Sequence, residues 1–283
     1  MLNKENKIEM KMIFGIGTGL IISAVCWIVL PFSAFIKKIE DNSVCQQCSL
    51  EKQCIAMWET RHGQSNFVSD WMLVSYLAVR KSCPCEKTYN HFIKLAMVIL
   101  GFLVYLFPFW SRGMGLDGML MGFSAIALFF LSIVDWNTQY IPFECNIFIF
   151  ICGLIHLFAD FSNWLEYLIG LIAVSGFLFI VDRIGTPMLR KKYPEDEVDS
   201  VIGDGDIKLM AATGLLLGWK LNFIALGIGC ISGSVIHLIR MKIKGSGAKL
   251  ALGPYLSLGV YITMICGEQL VSWYLNMLGL YPV

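Results

Sequence analysis

Two aspartates stand at the edges of apolar stretches, where a carboxylate is costly unless it is solvated or used. Asp135 closes one stretch in Val134-Asp135-Trp136-Asn137-Thr138-Gln139-Tyr140-Ile141-Pro142, and Asp206 opens another in Gly203-Asp204-Gly205-Asp206-Ile207-Lys208. Two nearby carboxyls can share one proton, so that one activates water as a base while the other, protonated, polarises a scissile carbonyl. Gly203 and Gly205 permit close backbone approach to a substrate, and a helix beginning at Ile207 would direct the positive end of its dipole at Asp206. Asp204 competes as the second acid, but only Asp206 adjoins the helical run Ile207 to Trp219. On position alone, a reading of Asp206 as a helix cap and Asp135 as a solvated helix end has equal weight. Lys208 could balance the local charge or meet a lipid headgroup.

Cysteines form a second constellation. Cys45-Gln-Gln-Cys48, Cys54 and Cys83-Pro-Cys85 fall in one polar segment of about 55 residues, too small to bury much of a core unaided. In a reducing compartment thiolates at such spacing suit one tetrahedral zinc ion, which would contribute folding free energy. The expected ligands are Cys45, Cys48, Cys83 and Cys85, with Cys54 able to replace one of them. His62 and His91 are weaker candidates, read as ordinary loop histidines. Cys26, Cys145, Cys152, Cys230 and Cys266 lie in or beside apolar stretches and are expected to pack as small apolar groups.

The elements that must position these residues are membrane helices. The chain is 57% apolar and 15% charged, against about 45–50% and 25% for soluble domains. A net charge of +1 provides no basic field for nucleic acid. Stretches long enough to span run from about Met12 to Ile36, Leu95 to Phe109, Leu116 to Val134, Phe143 to Phe158, Trp164 to Val181, Ile207 to Trp219, Leu221 to Leu238 and Leu250 to Val271. The expectation is an all-α, polytopic bundle of about eight transmembrane helices with a small cytoplasmic zinc-binding segment. Its divisions are an N-terminal helix (1–36), the Cys-rich segment (37–94) and a multi-span domain (95–283). Lys and Arg concentrate in Lys37 to Lys94, Arg183 to Lys192 and Arg240 to Lys249, which the positive-inside rule places in the cytoplasm together with both acids. Both termini are then external, against which Lys4, Lys7 and Lys11 argue.

Three motifs resemble the type IV prepilin peptidases, membrane aspartic proteases of the GxGD class. Gly203-Asp204-Gly205-Asp206-Ile207-Lys208-Leu209, continuing to Ala212-Thr213-Gly214 and Leu217-Gly218, is similar to that family's most specific signature. Asp135 with Ile141-Pro142 resembles its other catalytic segment, and Gly253-Pro254-Tyr255-Leu256 resembles the opening of a late helix. Val74-Ser75-Tyr76-Leu77 ahead of Cys83 adds weaker support. The resemblance implies cleavage of the leader from type IV prepilins or pseudopilins at the cytoplasmic face of a bacterial inner membrane, with Asp135 and Asp206 as the catalytic pair. It also implies, for many members, N-methylation of the new terminus with S-adenosylmethionine. A G-S-F-x-N-V stretch usual near the family's start has no counterpart in Gly15-Ile16-Gly17-Thr18-Gly19-Leu20, so a peptidase without methyltransferase activity stays open as the alternative. Outside the family, an ion-coupled transporter would use interfacial acids as a path. A silent assembly partner would look the same in sequence.

Overall fold

The computed structural model describes residues 4–40, 73, 77, 89–192, 200–244 and 251–277, and every regular element among them is helical. Helix α1 (Lys4–Ser23) continues through a 3-10 turn (Ala24–Ile28) into α2 (Val29–Glu40). There follow α3 (His91–Ser111), α4 (Leu116–Thr138), α5 (Phe143–Ala159), a 3-10 turn (Phe161–Asn163), α6 (Trp164–Lys192), α7 (Asp204–Leu217), α8 (Trp219–Lys244) and α9 (Gly253–Met277). The apolar stretches read from the sequence are helical over their described residues, although Ile207 to Trp219 crosses the break at Gly218 into α8. Five segments are long and apolar enough to cross a bilayer: Glu9–Ala34, His91–Ser111, Leu116–Thr138, Phe161–Lys191 and Trp219–Ile243. Helix α5 is apolar but shorter. The 14 residues of α7 reach only about 21 Å at the α-helical rise, short of a hydrocarbon core about 30 Å thick.

Helix α4 is the axis of the bundle, packed against α2, α3, α5 and α9. Its most apolar window is 67% buried, whereas that of α6 is 17% buried and faces outward. Lipid is as apolar as leucine, so these helices are held by close packing and internal hydrogen bonds rather than by escape from water. Small residues make the close packing possible. At the crossing of α6 and α7, a Cβ added to Gly214 would lie 2.0 Å from the Gly170 carbonyl oxygen, so the two backbones touch. Beside that crossing, the fully buried Asn222 of α8 donates from Nδ2 to the Met210 carbonyl (2.9 Å) and accepts from Thr213 Oγ1 (3.1 Å). This polar pair fastens α7 to α8 inside the bundle.

Three sequence expectations change here. Helix α6 does not stop at Val181 but continues to Lys192, so Arg183 to Lys192 is the end of a helix rather than a loop. Helix α7 begins at Asp204, ahead of the expected Ile207. Among the cysteines, Cys26, Cys145 and Cys152 are buried as expected, but Cys230 is exposed on the bundle surface. Cys266 is half-buried at a non-helical step inside α9, where its Sγ donates to the Ile262 carbonyl.

Candidate active site

Helix α4 ends where Gln139 takes a left-handed conformation (φ 51°) and its N–H donates to the Asp135 carbonyl at 2.8 Å. Pro142 then starts α5, being unable to continue the preceding helix. Asp135 is thereby held in the last turn of α4, at 4% exposure. Asp206 lies in the first turn of α7, at 8% exposure, with its N–H bonded to the Gly203 carbonyl at 3.0 Å. The N-cap of α7 is Gly203, so Asp206 does not cap the helix, and Asp204 is exposed. The solvated-end reading does not describe Asp135 either, since it is buried. Both acids border Ile141, because Gly253, against Asp135 Oδ2, and Gly205, one residue before Asp206, each pack on the Ile141 side chain.

Neighbouring elements enclose the pair. A Cβ at Gly253, the first residue of α9, would come within 2.6 Å of Asp135 Oδ2 and 3.1 Å of Ile141 Cδ1. One at Gly205 would lie 2.9 Å from Ile141 Cβ, and one at Gly203 3.2 Å from Asp206 Oδ2. The three motifs distant in sequence thus converge around Ile141 and two carboxyls. Asp135 Oδ2 and Asp206 Oδ1 are both buried without a hydrogen-bond partner. Buried polar atoms are rarely left so in folded proteins, and a part in proton transfer is one account of such exceptions. Lys208 is exposed, its ammonium 5.1 Å from the centroid of the Phe143 ring.

Two positioning residues were not found from sequence. Asp182, on α6, accepts from the N–H groups of Val201 (3.0 Å) and Ile202 (3.1 Å), which fixes the approach to Gly203. Asn146, on α5, donates from Nδ2 to the Gly205 carbonyl at 3.3 Å. Neither stands out in a polar stretch, since each acts through residues about 20 or more positions away. Glu144 accepts from the Leu73 N–H at 2.6 Å, which ties one point within the Cys-rich segment to the start of α5. The expected zinc ligands Cys45, Cys48, Cys83 and Cys85, with Cys54, His62 and Val74-Ser75-Tyr76, lie outside the described residues. Among the described residues no group of three or more His, Cys, Asp or Glu side chains could hold a metal ion. His91 starts α3 and packs its ring 5.9 Å from Trp27.

Comparison with known proteins finds a family and several relatives to which the chain is similar. Residues 122–238, which include Asp135, Asn146 and Asp206, match the model of the Type IV leader peptidase family. The chain is 27% identical over 258 residues to the prepilin leader peptidase/N-methyltransferase of Pseudomonas aeruginosa, covering 88% of this chain and 80% of that one. It is 28% identical over 213 residues to the protein of the same name from Stutzerimonas stutzeri, covering 72% and 69%. A shorter match of 77 residues to the Legionella pneumophila protein reaches 41% identity, over 26% of this chain and 27% of its relative. No solved structure matches the chain.

Proposed function

We propose that this chain, which through residues 122–238 belongs to the type IV leader peptidase family, cleaves the leader from type IV prepilins or pseudopilins by an aspartyl dyad of Asp135 and Asp206. The observation that carries the reading is the pair itself: two acids from different helices, buried, brought to the same residue Ile141 and each with an unpartnered oxygen. One carboxylate takes a proton from a water molecule as the water attacks the scissile carbonyl carbon. The other, protonated, hydrogen-bonds the carbonyl oxygen as negative charge develops on it. When the tetrahedral intermediate collapses, a dyad proton passes to the leaving amine. Both acids sit at one end of the bundle, which suits hydrolysis at a membrane face better than an ion path through the midplane.

Gly203 admits the substrate backbone beside Asp206, Gly205 makes room for Ile141, and Lys208 meets lipid headgroups at the same rim. The site faces the cytoplasm of a bacterial inner membrane. Cys45, Cys48, Cys83 and Cys85 hold a structural zinc ion in a segment that Leu73 joins to the start of α5 through Glu144. That zinc reading rests on cysteine spacing alone, and no catalytic step passes through the metal. The relatives are named as N-methyltransferases as well as peptidases; for a methylation step S-adenosylmethionine would supply the methyl group, and the described residues assign it no site.

Asp135→Asn and Asp206→Asn should each accumulate in the membrane at normal levels while prepilin cleavage falls by about a thousandfold or more, as expected when half of a cooperating pair is removed. Purified protein incubated with a prepilin, read by mass spectrometry of the pilin N-terminus, measures cleavage and methylation together. Processing by either variant at the wild-type rate removes the dyad.

A further inference from the structure

Asn146 is 4% exposed, on the turn of α5 that follows Pro142. Its side-chain amide is oriented by a neighbour that leaves no choice. The Gly205 carbonyl can only accept, so the amide nitrogen must face it, at 3.3 Å, and Oδ1 is left as an acceptor. Oδ1 is buried and has no partner. Gly205 is the residue before Asp206, so the same short stretch of chain carries one catalytic carboxyl and anchors this amide. Asn146 Oδ1 therefore joins Asp135 Oδ2 and Asp206 Oδ1 as a third buried, unpartnered acceptor around the Gly205 turn.

The first two have a use in proton transfer, and a neutral amide has none. What an amide oxygen can do at such a place is accept from a peptide N–H. A substrate drawn out at the dyad brings main-chain N–H groups into a site screened from water, where each one left unpaired costs about 1–3 kcal/mol. We infer that Asn146 is a substrate-binding residue: its Oδ1 accepts a main-chain N–H beside the scissile bond, while its Nδ2 holds the Gly205 carbonyl. The inference rests on the peptidase reading and adds to it the group that registers the substrate backbone against the dyad.

The test is a cycle between enzyme and substrate. Full-length protein in lipid vesicles is given prepilin peptides in which single amides, up to three residues either side of the cleaved bond, are replaced by esters that lack the N–H. With wild-type protein, one ester should lower kcat/KM by about tenfold, the worth of one buried hydrogen bond. Asn146→Leu, similar in size, should lower kcat/KM for the all-amide peptide by a like factor, mainly through KM, and lose nothing more with that ester. If Asn146→Leu does not fold, Asn146→Ser takes its place, with a smaller loss and the same vanishing ester effect. Esters that cost the variant as much as the wild type would overturn the acceptor role while leaving the peptidase intact. Failure of wild-type protein to cleave the all-amide peptide would sink the peptidase reading and this inference with it.

Discussion

The most demanding contact around the two acids is made by a residue with no side chain. Gly253 sits so near Asp135 that one added methyl would come within 2.6 Å of Oδ2. Either the carboxyl or the start of α9 would then have to move, and under the proposed dyad an acid so displaced loses its alignment. Gly253→Ala should therefore lower kcat by about a hundredfold with little change in melting temperature. Gly17→Ala, where a Cβ meets nothing within 4 Å, is the matched control and should cleave normally. Prepilin turnover by the two variants, with melting followed in detergent, distinguishes a local displacement from a general effect of alanine. The two acids stood out in the sequence because a carboxylate at the edge of an apolar run is expensive, but helical adjacency does not separate Asp204 from Asp206, since α7 begins at Asp204; burial of Asp206 alone does. Asn146 and Asp182 were not legible. A neutral amide and one more acid near a helix end carry no such cost, and their meaning comes from carbonyl and N–H groups that only the fold brings to them.

At the scale of elements, hydropathy located the helices but not their ends. The apolar run fades at Val181 because charged residues begin there, yet Asp182 to Lys192 keep helical bonding and carry the anchor for the loop before α7. The same loop depends on how closely α7 can approach α6. Gly170 and Gly214 touch backbone to backbone, and a carbonyl oxygen 2.0 Å from a new Cβ cannot rotate away as a side chain would. Gly214→Ala should destabilise the protein by about 1–3 kcal/mol, the range for overpacking a close-packed interior. Because Asp206 rides on α7, cleavage should fall along with stability. Gly176→Ala on the same outer helix α6 meets its nearest atom at 3.9 Å and should do neither. Melting curves for the pair check the argument, and a Gly214→Ala protein as stable as its parent would show that α6 and α7 separate freely.

Across the whole molecule the two ends of the bundle differ in charge chemistry. At the end carrying Asp135 and Asp206, Arg183, Arg190, Lys191, Arg240 and Lys242 lie on or beyond the apolar runs. At the opposite end the cations Arg112 and Lys220 are each paired with an acid, Arg112 with Glu268 at 2.6 Å and Lys220 with Glu166 at 3.1 Å, around a polar cavity of about 620 Å³. Helix α1 starts from that same end, since Gly15 abuts Phe109 near the close of α3. Lys4, Lys7 and Lys11, the residues that argued against an external N-terminus, therefore belong to the end away from the acids. With Lys192 and Lys244 added, the acid-bearing end carries seven of these cations against five at the other, so by the positive-inside rule the bundle should sit with its acid-bearing end in the cytoplasm. An impermeant maleimide on intact spheroplasts reads this directly. Labelling above the parent's background is expected for Ser162→Cys and Ser272→Cys without permeabilisation, and for Met241→Cys only after it. The reverse pattern would put the dyad outside the cell, where no leader still attached to a cytoplasmic precursor could reach it.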